Sequence, residues 1–217
     1  MRRERTAGAK GGFSLIELLV VVAIIAILAS LLMVVSGSMM EKRTIARVTA
    51  EMRQLEAAIE TYKDRFGYYP PDNTNNPAKN SLYYELTGTW STNRGGTIEY
   101  RGVDDGLITD SQVFTHFGRG GILNNVPDPK RIRNFIPNLR ASQSREIKTA
   151  NANEDIEVLV VPADPINVAT AFRSEDNKPI NTWYYLSTEP TNNVSDFDLW
   201  AEIKVRGKTV IIGNWNY

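Results

Sequence analysis

One carboxylate stands alone in a long apolar stretch near the start of the chain. Of the 23 residues from Phe13 to Val35, Glu17 is the only charged one. A carboxylate costs about 2.5–3.5 kcal/mol at the centre of a bilayer, less near the interface, and it usually has a partner there. Glu17 is therefore either an assembly residue that binds a group of opposite charge or an unpaired carboxylate at a membrane interface. We favour the first interpretation.

The residue types that catalyse reactions do not fall into a known catalytic pattern. The sequence contains no Gly-x-Ser-x-Gly, no His-Glu-x-x-His and no Cys/His pair. The glycine cluster at 118–121 lacks the Lys-Ser/Thr of a phosphate-binding loop, and the single histidine, His116, has no second ligand at metal-binding spacing. Asp104 and Asp105 are adjacent in a glycine-flanked stretch, which is typical of a solvated turn. We predict that the protein is not an enzyme.

The apolar stretch 13–35 has the length of a transmembrane helix. At about 1.5 Å per residue it is roughly 34 Å long, and the hydrocarbon core of a bilayer is about 30 Å thick. A secretory signal peptide has a shorter apolar core and a small-residue cleavage site, and a plain signal anchor would not explain Glu17. The leader 1–12 is basic, which predicts that it stays in the cytoplasm and that the rest of the chain faces outward. Its charged residues are Arg2, Arg3, Arg5 and Lys10 against Glu4.

The residues around Glu17 resemble a known processing signal. The run Gly12-Phe13-Ser14-Leu15-Ile16-Glu17-Leu18-Leu19 is similar to the cleavage and methylation signature of type IV pilins and type II secretion pseudopilins. The resemblance implies that a prepilin peptidase cuts between Gly12 and Phe13 and that the new α-amino group of Phe13 is methylated. Glu17 of one subunit would then pair with that amine on a neighbour, which compensates a charge that is costly alone in lipid.

Residues 36–66 are predicted to form the amphipathic half of the same helix. Apolar residues follow steps of three and four, which places them on one face; they are Ile45, Val48, Met52, Leu55, Ile59, Tyr62 and Phe66. Gly67 and Pro70-Pro71 end the pattern. This apolar seam could form a coiled coil, but it spans barely three heptads, so we expect it to pack on a sheet of the same chain.

The C-terminal part predicts a small antiparallel sheet. Alternate positions from Phe197 to Val205 are apolar, and Arg206-Gly207 is a two-residue hairpin signal before the strand 208–212. Residues 182–186 and 157–161 are further predicted strands. With the long helix, these strands predict an α+β fold, and the resemblance implies a pilin-like lollipop with a globular head at 67–217.

The segment from about 73 to 156 is interpreted as an insertion in this head. It contains a predicted short helix at 81–88 and a basic stretch that is either a solvated loop or a patch for an acidic partner or a membrane surface. The basic residues are Lys130, Arg131, Arg133, Arg140, Arg145 and Lys148. The insertion also keeps open a membrane-anchored periplasmic enzyme or binding module as an alternative function.

Composition limits the remaining possibilities. The 25 basic and 25 acidic residues balance, so no global charge indicates nucleic-acid binding. The chain has no cysteine, so core packing rather than disulfides must hold the head together.

Two C-terminal runs resemble the last strands of the major pseudopilin of type II secretion, namely Asp196-Phe197-Asp198-Leu199-Trp200 and Ile212-Gly213-Asn214-Trp215-Asn216. The resemblance implies a subunit of a periplasmic filament for protein export, anchored in the inner membrane as a single-pass protein. Its partners would be copies of itself, other pseudopilins, the prepilin peptidase and the inner-membrane secretion platform. A type IV pilin of a surface filament is the near alternative.

A calcium site is a further implication of this resemblance, because major pseudopilins carry a calcium-binding loop near these strands. Residues 202–209, at the position of that loop, contain three cations and one carboxylate. They predict a hairpin and not a calcium-binding loop. Calcium binds six to eight oxygens, and the nearest oxygen-rich alternative lies just before the strand. Its residues are Asn192, Asn193, Ser195, Asp196 and Asp198, with Asp196 and Asp198 as the weak candidate ligands.

Overall fold

The computed structural model describes residues 13–103, 106–148, 155–166, 172–173 and 177–215, without the side chains of 31–38, 148 and 155. The chain divides into two compact units, Met1–Lys42 and Arg43–Tyr217. The two units are described separately below.

A single helix, α1 (Leu15–Phe66), contributes to both units. It ends where predicted, because Gly67 adopts a φ of 82° and its N–H donates to the Lys63 carbonyl at 2.7 Å. This left-handed glycine satisfies a carbonyl that the last helical turn leaves free. In the second unit the seam is confirmed as a core face, since Val48, Met52, Leu55, Ile59 and Tyr62 are at most 2% exposed.

The segment interpreted as an insertion contains a sheet of its own. After α2 (Leu82–Thr87) come β1 (Thr89–Arg94), β2 (Thr97–Arg101), β3 (Leu107–Thr109), α3 (Asp110–Phe117) and β4 (Asn125–Val126). The sheet order is β3-β2-β1-β4, and only the β1–β4 pair is parallel. The β1–β2 turn is Gly95-Gly96 with both φ values positive, which suits a tight hairpin. These strands were not predicted from the sequence, since β1 is almost entirely polar and shows no apolar alternation.

Two short hairpins and a 3₁₀ turn follow. The 3₁₀ turn covers Pro129–Arg131, β5 (Ser144–Lys148) pairs with β6 (Asp155–Leu159), and β7 (Phe172–Arg173) pairs with β8 (Pro179–Ile180). β6 overlaps the strand predicted at 157–161.

The predicted C-terminal sheet is present. It consists of β9 (Tyr184–Leu186), β10 (Asp198–Val205) and β11 (Lys208–Gly213) in the antiparallel order β11-β10-β9. Arg206 and Gly207 form the turn with φ values of 51° and 80°, as the two-residue hairpin requires. The alternation is confirmed as well, because Phe197, Leu199, Ala201, Ile203 and Val205 are all buried.

One hydrophobic core joins the seam of α1, the inner face of β10 and the buried residues of the middle segment. The seam is therefore covered by its own chain rather than left for a coiled coil. The α+β class is confirmed, and the lollipop arrangement stays a prediction.

Gly88 directly follows α2, where the chain runs close to residues 132–133. It has a φ of +80°, and a Cβ there would lie 2.5 Å from the Arg133 carbonyl oxygen and 2.9 Å from Ile132 Cγ2. Gly95 also has a positive φ, but a Cβ there would meet nothing within 4 Å. Both positions carry backbone strain when substituted, and only Gly88 adds a clash.

We expect Gly88→Ala to lower the free energy of unfolding by about 1–3 kcal/mol more than Gly95→Ala, since the added methyl group must displace backbone. Urea unfolding followed by tryptophan fluorescence measures both variants. Equal losses would show that residues 132–133 move aside at no cost.

Candidate functional site

Ser14 and Glu17 meet at the first turn of α1. Ser14 directly precedes the helix, and its backbone N–H donates to Glu17 Oε2 at 3.0 Å. Ser three residues before Glu is the sequence of a capping box, and Glu17 supplies its half of that motif. A carboxylate in the first turn also interacts favourably with the helix dipole. This local partner of Glu17 was not predicted, although the Ser-x-x-Glu pattern at 14–17 indicates it.

The helix that begins there is apolar on all sides. All twelve large apolar side chains from Phe13 to Leu28 are exposed, with Phe13 at 80% and Leu15 at 83%. The Ser30 hydroxyl is satisfied within the helix, since it donates to the Ile27 carbonyl at 2.7 Å. Burying a Leu, Ile, Val or Phe side chain is worth roughly 1.5–3 kcal/mol. A helix with this surface is stable in water only when another apolar surface covers it.

The predicted cleavage site lies partly outside the described residues. Gly12 is outside them, and Phe13 is the first residue described. Among the residues described with their side chains, no helix meets the length and hydropathy required of a membrane span. The transmembrane helix over 13–35 stays a prediction, and the side chains of its residues 31–35 are not described.

Comparison with known proteins identifies the N-terminal segment. Residues 8–33 match the family model of the prokaryotic N-terminal methylation motif. This match covers Gly12, Phe13 and Glu17, the three residues to which the sequence analysis assigned processing and assembly. No curated protein and no solved structure matches the chain. The motif indicates a type IV pilin-like subunit that is processed as a prepilin, and the family that carries it is structural.

The two candidate calcium ligands both have partners within the protein. Asp198 is fully buried, and its carboxylate accepts hydrogen bonds of 2.8–2.9 Å from the backbone N–H groups of Thr191, Asn192 and Asn193. Asp196 accepts from the Tyr69 hydroxyl. Across the described residues, no group of three or more His, Asp or Glu side chains is arranged to hold a metal ion. Asp198 therefore acts as the structural centre of the loop 191–193.

Glu85 is a buried carboxylate that the sequence analysis did not single out. It lies on α2 with no exposed surface, and it accepts hydrogen bonds of 2.9 Å from Tyr62 Oη, Leu123 N and Asn124 N. Burial raises the pKa of Glu85, against the lowering effect of the two backbone N–H groups. A buried acid of this kind can mark a catalytic site.

The surroundings of Glu85 are those of a structural residue. All three donors are parts of the fold itself, namely α1 and the 123–124 backbone. Glu85 lines neither the groove beside Tyr68 nor the groove beside Phe135. It joins α2 to α1 and to the chain before β4. The other acids considered for catalysis, Asp104 and Asp105, lie outside the described residues.

Part of the predicted basic stretch lies along α1. Phe135 packs on Tyr62 with 5.3 Å between ring centroids, and Arg140 Nη2 lies 3.1 Å from Glu51 Oε1. Glu51 is almost fully buried, and Arg47 binds the same oxygen at 3.3 Å. Arg140, whose side chain is 60% exposed, thus pairs with a buried carboxylate of its own chain.

Proposed function

We propose that this protein is a structural subunit of a type II secretion pseudopilus. In this proposal the prepilin peptidase cuts after Gly12, residues 13–35 hold the chain in the inner membrane with its head in the periplasm, and subunits then assemble into a filament. Other pseudopilins and the inner-membrane secretion platform are the further partners. The observation that carries the proposal is the first part of α1, whose large apolar side chains up to Leu28 are all exposed and whose one carboxylate is Glu17.

The apolar helix can be covered in two successive ways. Lipid covers it before assembly, and neighbouring copies of the same helix cover it in a filament. Identical subunits that pack through two different surfaces without ring closure form an open helical polymer. Glu17 fits this sequence of events, since a charge that is costly alone becomes favourable beside the α-amino group of Phe13 on a neighbour.

The type II assignment is supported by the C-terminal resemblance at 196–200 and 212–216 and by the absence of cysteine for a disulfide. A surface filament is the alternative outcome. Cells that lack this protein are expected to retain their exported enzymes inside while keeping their surface pili. Loss of surface pili with normal export would replace the pseudopilus with a type IV pilus.

The intact mass of the protein extracted from membranes of its native cell tests the processing step. We expect a chain that starts at Phe13 and carries one added methyl group, because the peptidase and its methylation act on this bond. A chain that keeps residues 1–12 would contradict the proposal. It would leave a signal anchor and favour the membrane-anchored enzyme or binding module.

Gly12→Ala should reduce this processing more than Lys10→Ala does. A peptidase binds the chain before the cut in an extended form, and the missing side chain of Gly12 lets its backbone approach closely. The fraction of cleaved chain, measured by mass for both variants, gives the comparison. Equal processing would argue against a fit that depends on the backbone of Gly12.

A further inference from the structure

One hydroxyl lies between two carboxylates at the end of α1. Tyr69 Oη is 3.3 Å from Glu60 Oε1 and also donates to Asp196 Oδ1. Glu60 belongs to the last two turns of α1, and Asp196 belongs to the segment 187–197 between β9 and β10. The Tyr69 ring is fixed by Phe197, whose centroid lies 5.0 Å away, and by the Lys63 ammonium at 3.9 Å. A single hydroxyl hydrogen cannot satisfy both acceptors fully.

The charges around this cluster favour retention of a proton. Burial and the Asp196 charge raise the pKa of Glu60, while Tyr69 and Lys63 lower it. Glu189 lines a surface groove together with Tyr69 and Asp196 and adds another negative charge. Two further titratable groups nearby already have partners. Tyr185 on β9 donates to the Pro70 carbonyl, and the Asp72 carboxylate accepts from the Ser187 N–H. Lys63 is the one cation among these groups. A proton on Glu60 would supply a second donor between the two carboxylates, which otherwise share the single hydroxyl hydrogen of Tyr69.

The segment that carries Asp196 is held at separate points. Asp72 accepts from the N–H groups of Ser187 and Thr188 at its start, and Asp198 organises 191–193 in its middle. Residues 194–196 border a groove of about 790 Å³ that also includes Tyr68 and Pro190. Val194 is 81% exposed, so it contributes little packing to hold this part in place. The described contact between Asp196 and Tyr69 joins these three residues to the end of α1.

We propose that Glu60, Tyr69 and Asp196 form a proton-dependent latch that holds residues 194–196 against α1. The latch is closed while Glu60 carries a proton that it can donate toward Asp196. When that proton leaves, two like charges face each other across a single hydroxyl, and the segment 194–196 separates from α1. Release widens the groove beside Tyr68.

The direction of the pH dependence follows from Glu60. Its pKa in the folded chain is raised above the ordinary value of 4.5. The contribution of the latch to stability is therefore fully present below pH 4.5 and is lost as the pH rises through the folded-state pKa.

Amide hydrogen exchange of the full chain in detergent, corrected for the intrinsic pH dependence of exchange, tests the latch. In the wild type, protection of residues 194–196 should fall about tenfold from pH 4 to pH 7, the change expected for loss of one hydrogen bond to a charged group. Glu60→Gln keeps a donor and removes the charge, so its protection should stay high at both pH values. Asp64→Asn, an exposed acid on the same helix, is the matched control and should behave as the wild type.

Protection that does not change with pH in the wild type, or that falls equally in Glu60→Gln, would overturn the latch.

Discussion

Glu17→Ala and Glu17→Gln are both expected to be inserted and cleaved normally and to fail in assembly. The carboxylate has two possible partners, the Ser14 N–H that it accepts from in the structure and the α-amino group of Phe13 on a neighbouring subunit. Gln can accept from the Ser14 N–H as Glu does, but it cannot neutralise an ammonium group. The two variants therefore separate the role in capping the helix from the role in assembly.

The expected effect on assembly is large because the pair would be formed away from water. Removing one partner of a buried ion pair typically costs about 3–5 kcal/mol, since the other charge is left uncompensated. Loss of an N-cap contact costs about 0.5–2 kcal/mol. We therefore expect the yield of sedimentable filaments to fall more than 100-fold in both variants, with processing at Phe13 checked by intact mass.

Ser30→Ala is the matched control on the same apolar helix. Its hydroxyl bonds to the Ile27 carbonyl of its own helix, so its removal should leave filament yield unchanged. Normal assembly of Glu17→Gln together with failure of Glu17→Ala would show that Glu17 serves as a helix cap and would contradict the charge-pairing role.

The elements that could be predicted are those whose apolar residues follow a regular period. The seam from Ile45 to Phe66 repeats every three or four residues, and β10 alternates without a break, so burial of one face followed directly from spacing. The turn at Arg206-Gly207 has the length that fixes a hairpin register. These features are local in sequence, and the structure confirms each of them.

The features that escaped prediction depend on contacts between distant parts of the chain. β1 is polar at nearly every position, so its own sequence does not predict a strand. It forms one because it pairs with β2 and β4. Glu85 looked like one acid in a short helix, and only the approach of Leu123 and Asn124, nearly forty residues later, makes it buried. Asp198 is a weak candidate metal ligand in the sequence, where the backbone N–H groups of residues 191–193 that surround it leave no pattern.

Glu85→Ala is expected to destabilise the second unit strongly. It removes the acceptor for the Tyr62 hydroxyl and for two backbone N–H groups, each of which is then buried without a partner at a cost of about 1–3 kcal/mol. The free energy of unfolding should fall by at least about 3 kcal/mol in urea at neutral pH. Tyr62→Phe, which removes one donor and keeps the ring, should cost only about 1 kcal/mol.

The pH dependence of Glu85 has a sign opposite to that of a salt-bridged acid. Because burial raises its pKa in the folded state, the folded chain binds a proton more tightly than the unfolded chain does. Stability from this group is greatest below pH 4.5 and declines as the pH rises through the folded-state pKa.

Glu85→Gln leaves one amide group facing a backbone N–H and so is less stable at low pH, but it has no proton to lose. The stability difference between wild type and Glu85→Gln should therefore shrink from pH 4 to pH 7. A difference that grows over this range would mean that the hydrogen bonds from Leu123 and Asn124 outweigh desolvation and that Glu85 is held as a carboxylate.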